Sequence, residues 1–289
     1  MLGGHLLYRM LSSEVRMESK GAVEQVVRWM HQNLDAEVSM EQLAERAGVS
    51  PFHFLRTFRR FTGVIPALFL SALRLEEAKR LLLTTERSVT DICFDVGYNS
   101  LGTFTTRFTH LVGLSPARLR HLGSGFRLEA LALAAERLSA GSPAAGSIPI
   151  TGTLRADDPP AGVIFLGLFS HPIPQERPLA CTLLAAPGPF RLNAPRPGGY
   201  YLFAACFSRA SDPRDFLLAS RSVRQVASGG PLTLRAGEGP PASADLRLRL
   251  LTALDPPLLV ALPLLMAERR ARTTLPEISE VTRRVSAEA

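Results

Sequence analysis

The chain of 289 residues is long enough for two domains with separate cores. It carries 33 Lys+Arg against 26 Asp+Glu, a formal net charge of +7, and every one of those cations except Lys20 and Lys79 is arginine. Three cysteines, Cys93, Cys181 and Cys206, are too few for a disulfide scaffold, and no run of 18 apolar residues offers a membrane span. The opening MLGGHLLYRMLSSEVRMESK lacks a basic region followed by an uninterrupted apolar stretch, so it reads as an untidy leader or a misplaced start codon and not as a secretion signal. A soluble, cytoplasmic protein follows, with an arginine excess suited to phosphates and base edges.

The first part of the chain is helical in pattern. In VEQVVRWMHQNL, Val26, Val27, Trp29 and Met30 fall at helical spacing, which places Trp29 in a core. Ser39 then caps a helix with Leu43, Ala44 and Ala47 on its buried stripe, and Gly48 closes it. Ser50 caps a second helix with Pro51 at its first position, where a missing N–H is no loss. That helix is expected to bury Phe54, Phe58 and Phe61 and to present Phe52, Leu55, Arg56, Arg59 and Arg60 outward. Leu68 to Thr85 reads as one long helix with Leu70, Leu73, Ala78, Leu81 and Leu82 inward.

The unit then recurs. Phe54, Phe58, Gly63 and Pro66 return fifty residues later as Phe104, Phe108, Gly113 and Pro116; Leu43, Ala44 and Gly48 return at an offset of forty-nine as Ile92, Cys93 and Gly97. One residue is therefore inserted in the second turn. A helix, a glycine turn and a capped helix with a basic outer face is the pattern of a helix-turn-helix, whose second helix enters the DNA major groove. A single copy would be equally an ordinary helical hairpin. Two copies, each closed by Gly-x-x-Pro and joined by a stiff helix, argue for two DNA readers on one chain.

The segment from Gly21 to about Leu122 resembles the DNA-binding domain of the AraC/XylS transcription regulators. The likeness rests on Leu43-Ala44, Gly48-Val49-Ser50, Arg56-x-Phe58, Arg74, Ala78, Leu81-Leu82, Ile92, Gly97-Tyr98, Phe104, Phe108, Gly113-x-Ser115-Pro116 and Arg120. The resemblance implies base reading by Phe52, Leu55 and Arg56 in the first recognition helix, with Arg59 and Arg60 beside them. In the second it implies Leu101, Gly102, Thr105 and Thr106, with Arg107 or Arg120 on phosphates. Arg56 is the residue suited to grip a guanine with both guanidinium nitrogens. Leu55 stands where a polar residue is usual, and the second face is poor in long polar side chains, so it is expected to position more than to read.

Other residues invite chemistry and are better read as structure. Cys93 repeats the place of Ala44 and is expected to pack. His31, His53, His110 and His121 are scattered without the partners of a metal site, so neither metal nor cofactor is expected.

Three prolines precede residue 123 and nineteen of the 22 follow it, marking a change of character. Phe126 to Ala140 is rich in Ala, Leu, Glu and Arg and reads as a helix, followed by a Gly/Ser/Pro linker to Ser147. From Ile148 come IPITGTL, AGVIFLGLF, LACTLLA, PFRLNA, GYYLFAACF, PLTLRA, ADLRLRL and LLVALPLL, eight short runs with Pro/Gly turns, as in an antiparallel β-sandwich or small barrel. In ADLRLRLL, Leu246, Leu248 and Leu250 share one face, Arg247 and Arg249 the other. These runs, with Pro197-Gly198-Gly199-Tyr200, resemble the transthyretin-like (carboxypeptidase regulatory-like) sandwich. Asp212, Asp215 and Asp255 read as turn residues, and Ser170-His171 has no acid partner, so no catalytic set assembles. The tail from Ala267 is charged and weakly periodic.

The expected architecture is multi-domain: an all-α double helix-turn-helix domain over residues 19–122, a helical linker over 123–147, an all-β sandwich over 148–266 and a tail over 267–289. The expected function is sequence-specific regulation of transcription, with double-stranded DNA and RNA polymerase as partners and a nucleoid-associated, cytoplasmic location. The β domain would serve as a protein-contact module or as a sensor of small hydrophobic effectors controlling efflux or stress genes. A different class, an enzyme or carbohydrate-binding module with an accessory DNA-binding part, is the alternative.

Overall fold

The computed structural model describes residues 19–124, 147–158, 162–176, 178–208, 217–218, 222–235 and 244–261. The leader, the Phe126 to Ala140 helix, Asp212, Asp215 and the tail lie outside the described residues. Two compact units emerge: Met1–Phe104 with Leu251–Leu258, and Thr105–Leu250 with Leu259–Ala289.

Seven helices are described: α1 (residues 19–32), α2 (Met40–Arg46), α3 (Pro51–Thr62), α4 (Pro66–Thr84), α5 (Val89–Asp95), α6 (Leu101–Val112) and α7 (Pro116–Ser124). Serine starts most of them. The Gln42 N–H donates to Ser39 Oγ while Gln42 Oε1 accepts the Ser39 N–H, a complete capping box. Ser50, Ser88 and Ser100 accept the N–H groups of His53, Asp91 and Thr103 in the same way. The repeat is thus one of geometry as well as letters: Gly48, Gly63, Gly97 and Gly113 all take left-handed φ values.

In the first unit, Phe58 is the meeting point of α3 and α4. Its ring lies 5.4 Å from Phe54 and 5.5 Å, edge-on, from Phe69. Val26, Val27 and Met30 of α1 are buried as expected. Trp29 is not a core residue; it is half-buried with the Arg46 guanidinium 4.1 Å above its ring, because the inward stripe of α1 passes through Val23, Val26, Val27 and Met30. Phe61 is likewise only half-buried. Helix α4 is buried on nearly every side, and Lys79 within it is almost wholly enclosed, donating to Leu258 O at 3.3 Å.

The second unit contains seven strands: β1 (Ile148–Ala156), β2 (Gly162–Phe169), β3 (Ala180–Leu184), β4 (Gly188–Ala194), β5 (Gly198–Ser208), β6 (Val223–Leu234) and β7 (Leu246–Leu250). They form one sheet in the order β3-β2-β5-β6-β7-β1-β4, whose end strands β3 and β4 lie against each other, close to a barrel. Seven of the eight expected runs are strands. The pairing is not wholly antiparallel, since β1 runs parallel to β7 (Leu154 opposite Leu246). Strand β6 starts eight residues before the expected PLTLRA run, carrying Gly229, Gly230 and Pro231 inside it; those residues signal a turn in sequence. The eighth run does not form a strand over its described residues, 258–261, and the rest lies outside them.

The core of the sheet is the alternating set of Ile150, Ile164, Leu166, Leu202, Leu246 and Leu248. Leu250 departs from the expected face: it is 69% exposed at the strand end, where the sheet no longer covers it. The Tyr200 hydroxyl donates to Arg196 O at 2.6 Å and ties down the Pro-Gly turn. Strand β2 is buried along both faces, with Phe165 packed 4.9 Å from Phe207 on the side away from Leu166.

Candidate nucleic-acid interface

Helix α3 presents what its sequence spacing implies. Phe54 and Phe58 face inward; Phe52, Arg56, Arg59 and Arg60 are exposed and Leu55 is half-buried. An apolar ring 75% exposed, as Phe52 is, has no packing role of its own. The Arg56 guanidinium carbon lies 5.8 Å from that ring and its Nη2 is 3.4 Å from His53 Nδ1. The head group is therefore held at the helix surface by a cation–π contact on one side and an imidazole acceptor on the other. No acidic side chain sits in the first turn of α3, and Arg59 and Arg60 lie in the last, where they complement the helix dipole. The outer face thus combines three exposed guanidinium groups with the apolar Phe52 and Leu55.

Helix α6 repeats the plan with weaker chemistry. Leu101, Gly102, Thr106 and Arg107 are exposed and Thr105 is half-buried, while Phe104 and Phe108 are fully enclosed. The Thr109 hydroxyl donates to Thr105 O at 2.7 Å and is spent on the backbone. Thr106 and Arg107 are exposed polar side chains of this helix, as are Thr103 and His110.

The turn before α6 is the more tightly built of the two. Gly97 has φ +82°, and a Cβ there would lie 2.6 Å from Leu34 O and 2.8 Å from Asp35 Cα. Arg74 holds that loop in place: its Nε donates to Leu34 O at 2.6 Å and its Nη2 to Ala36 O at 2.9 Å. Burial lowers the Arg74 pKa from its usual value. Tyr98, beside Gly97, shares a hydrogen bond with Ser71 on α4 at 3.0 Å and packs 5.4 Å from Phe104. Cys93 is fully buried, 3.9 Å from Tyr98 O, and desolvation pushes its thiol pKa up; it is the packing residue its repeat position implies. Neither Arg74 as a loop clamp nor His53 as a neighbour of Arg56 is legible from spacing alone. The His53–Arg56 separation of three on one helix face is the signal that points to the second.

A helix-turn-helix domain family profile matches residues 43–121. The Transposon Tn10 TetD protein of Escherichia coli is 30% identical over 98 residues, 34% of this chain and 71% of that one. The transcriptional activator RhaS of Mannheimia succiniciproducens is 33% identical over 107 residues, 36% of this chain and 38% of its own, so the chain spans well under half of that relative. Among solved structures, the DNA-binding domain of AdpA in complex with a target DNA is 33% identical, covering 37% of this chain and 96% of that chain at a TM-score of 0.35. An AraC-type DNA-binding protein of Chromobacterium violaceum is 25% identical, covering 37% and 95% at a TM-score of 0.35. The shared stretch coincides with the repeated helical unit and its two glycine turns, and the chain belongs to the AraC-type family of helix-turn-helix DNA-binding transcription regulators.

Proposed function

We propose that the protein reads specific sequences in double-stranded DNA by placing α3 and α6 in two successive major grooves, about 34 Å apart, and that it regulates transcription from those sites. The observation that carries this reading is the outer face of α3, where Arg56 stands exposed between Phe52 and His53. Arg56 would take a guanine edge, Phe52 and Leu55 the apolar base surface, and Arg59 and Arg60 the phosphates. On α6, Leu101, Gly102, Thr105 and Thr106 would lie on the groove floor, and Arg107 on a phosphate. The weaker chemistry of that face supports its expected role of positioning the protein.

Residues 19–122 form the DNA-reading part in this proposal, 123–147 the linker, 148–266 a β-rich part of regulatory role and 267–289 the tail. RNA polymerase is the protein partner of such a regulator, and a small hydrophobic molecule held by the β-rich part is the effector it would take. The protein acts in the cytoplasm at the nucleoid; no helix among the described residues is long and apolar enough to cross a membrane. Ser170 Oγ and His171 Nδ1 lie 3.0 Å apart on an exposed loop, and among the described residues no acid is seen to orient that pair as catalysis would need.

Recovery of genomic fragments on the purified protein at near-physiological salt, beside Arg56→Ala, tests the reading. A few discrete sites should be enriched, and the variant should bind them about tenfold or more weakly. Equal recovery of all fragments, unaffected by the substitution, would overturn it.

A further inference from the structure

The last carbonyls of a helix have no partner within the helix, so what closes them matters. In the first repeat the Gly63 N–H donates to Arg59 O at 2.9 Å, and the Thr62 hydroxyl donates to Phe58 O at 2.9 Å and accepts the Val64 N–H. The second repeat has Val112 at the place of Thr62 and lacks that hydroxyl. Its Gly113 N–H still donates to Thr109 O at 2.9 Å, but two other carbonyls are closed by distant chain. The Glu176 N–H donates to His110 O at 3.1 Å and the Ala261 N–H to Val112 O at 3.1 Å.

Both donors belong to the compact unit that joins Thr105–Val112 of α6 to the β-sheet. Glu176 lies in the β2–β3 connection with φ +60°, a strained conformation for a residue with a side chain, and its carboxylate also meets His110 Nδ1 at 3.0 Å. That side-chain contact is half exposed and contributes little by itself. The backbone bonds are the fixed part. Ala261 is fully buried, and the Thr252–Asp255 turn that precedes it is closed by the Asp255 carboxylate. The β2–β3 connection leads into β3, which pairs with β2 and lies against β4.

We propose that the β-rich region is a positive regulator of DNA reading, acting as a latch in which the backbone amides of Glu176 and Ala261 hold the C-terminal end of α6. The inference rests on α6 being a DNA-reading helix. With the latch closed, Leu101, Gly102, Thr106 and Arg107 remain exposed, so the contact does not hide the reading face. It fixes the helix before DNA arrives, which lowers the ordering cost of binding. Loss of these two backbone bonds would release the helix and weaken binding.

The test uses the full chain and the fragment most enriched by the wild type. Glu176→Pro removes the N–H and cannot adopt φ +60°; Ala261→Pro removes the other donor. Each should weaken binding about tenfold with an unchanged salt slope, because the phosphate contacts are the same. Glu176→Gly keeps the amide and the backbone conformation and should bind within about twofold of wild type. Hydrogen exchange on the wild type, with and without DNA, gives a reading that needs no variant to fold: the Glu176 and Ala261 amides should be protected, and more so on DNA. Wild-type affinity or tighter binding in the proline variants, or loop-like exchange of both amides in both states, would overturn the latch. Failure of the wild type to enrich any discrete fragment would instead overturn the DNA reading on which the latch depends.

Discussion

Lys79 is an ammonium carried by the long helix between the two helix-turn-helix units and almost wholly removed from water. Burial lowers its pKa from 10.5 to about 8, against a smaller opposing effect of Glu76. Below pH 8 the side chain is charged in both folded and unfolded chains, and the folded state bears the whole desolvation cost. Between pH 8 and 10.5 the unfolded chain keeps a proton that the folded chain has shed. Stability contributed by this group therefore rises with pH across that window, by at most about 3 kcal/mol. Urea denaturation at pH 7 and pH 10 should show that rise in the wild type relative to Lys79→Met. At pH 7 the methionine variant should be equally or more stable, since the bond to Leu258 O gives back only part of the cost. A parallel pH dependence of the two proteins would show that Lys79 is solvated. Nothing in its sequence neighbourhood marks Lys79 as buried, because it stands among Arg74, Glu76, Glu77 and Arg80, which are all only half-buried.

The two turns make a sharper comparison between elements. Gly48 and Gly97 occupy the same place in the repeat and share a left-handed backbone, but a Cβ at Gly48 would meet nothing within 4 Å. Gly48→Ala should cost about 1 kcal/mol, the backbone penalty alone. Gly97→Val adds a collision with the Leu34 and Asp35 backbone under the Arg74 clamp, and should cost about 3 kcal/mol or more by chemical denaturation. Equal costs would mean that the 33–39 loop moves aside freely. The spacing of Gly48, Gly97, Phe54 and Phe104 made these turns and the inward stripes of α3 and α6 legible, since they obey local rules that recur along the chain. The loop over Gly97 was not legible, because it depends on Arg74 reaching residues some forty positions earlier. Trp29 failed for a related reason: helical spacing admits it to the stripe, but Arg46 of a different helix takes its ring.

At the scale of the whole molecule, the strands were legible from alternation, whereas their pairing was not. The β1–β7 parallel ladder joins segments ninety residues apart, and Gly229-Gly230-Pro231 passes through a strand without turning it. What the whole chain does show in its sequence is charge, and that charge yields a quantitative expectation. A net +7 made almost entirely of arginine draws any polyanion, so affinity alone would not distinguish a reader from a basic protein. The salt dependence and the sequence dependence do, because they separate at the level of side chains on α3. Each phosphate contact contributes about 0.9 to the slope of log affinity against log salt, whatever the sequence. Arg59→Ala should therefore weaken binding to specific and random DNA alike and reduce the slope by about one. Arg56→Ala should leave the slope on random DNA unchanged and reduce the ratio of specific to random affinity. Titrations of both variants on one enriched fragment and one random fragment, at three salt concentrations, supply the comparison. Identical slopes and identical ratios for the two variants would make Arg56 one more phosphate contact and move the reading of bases to Phe52 and the α6 face.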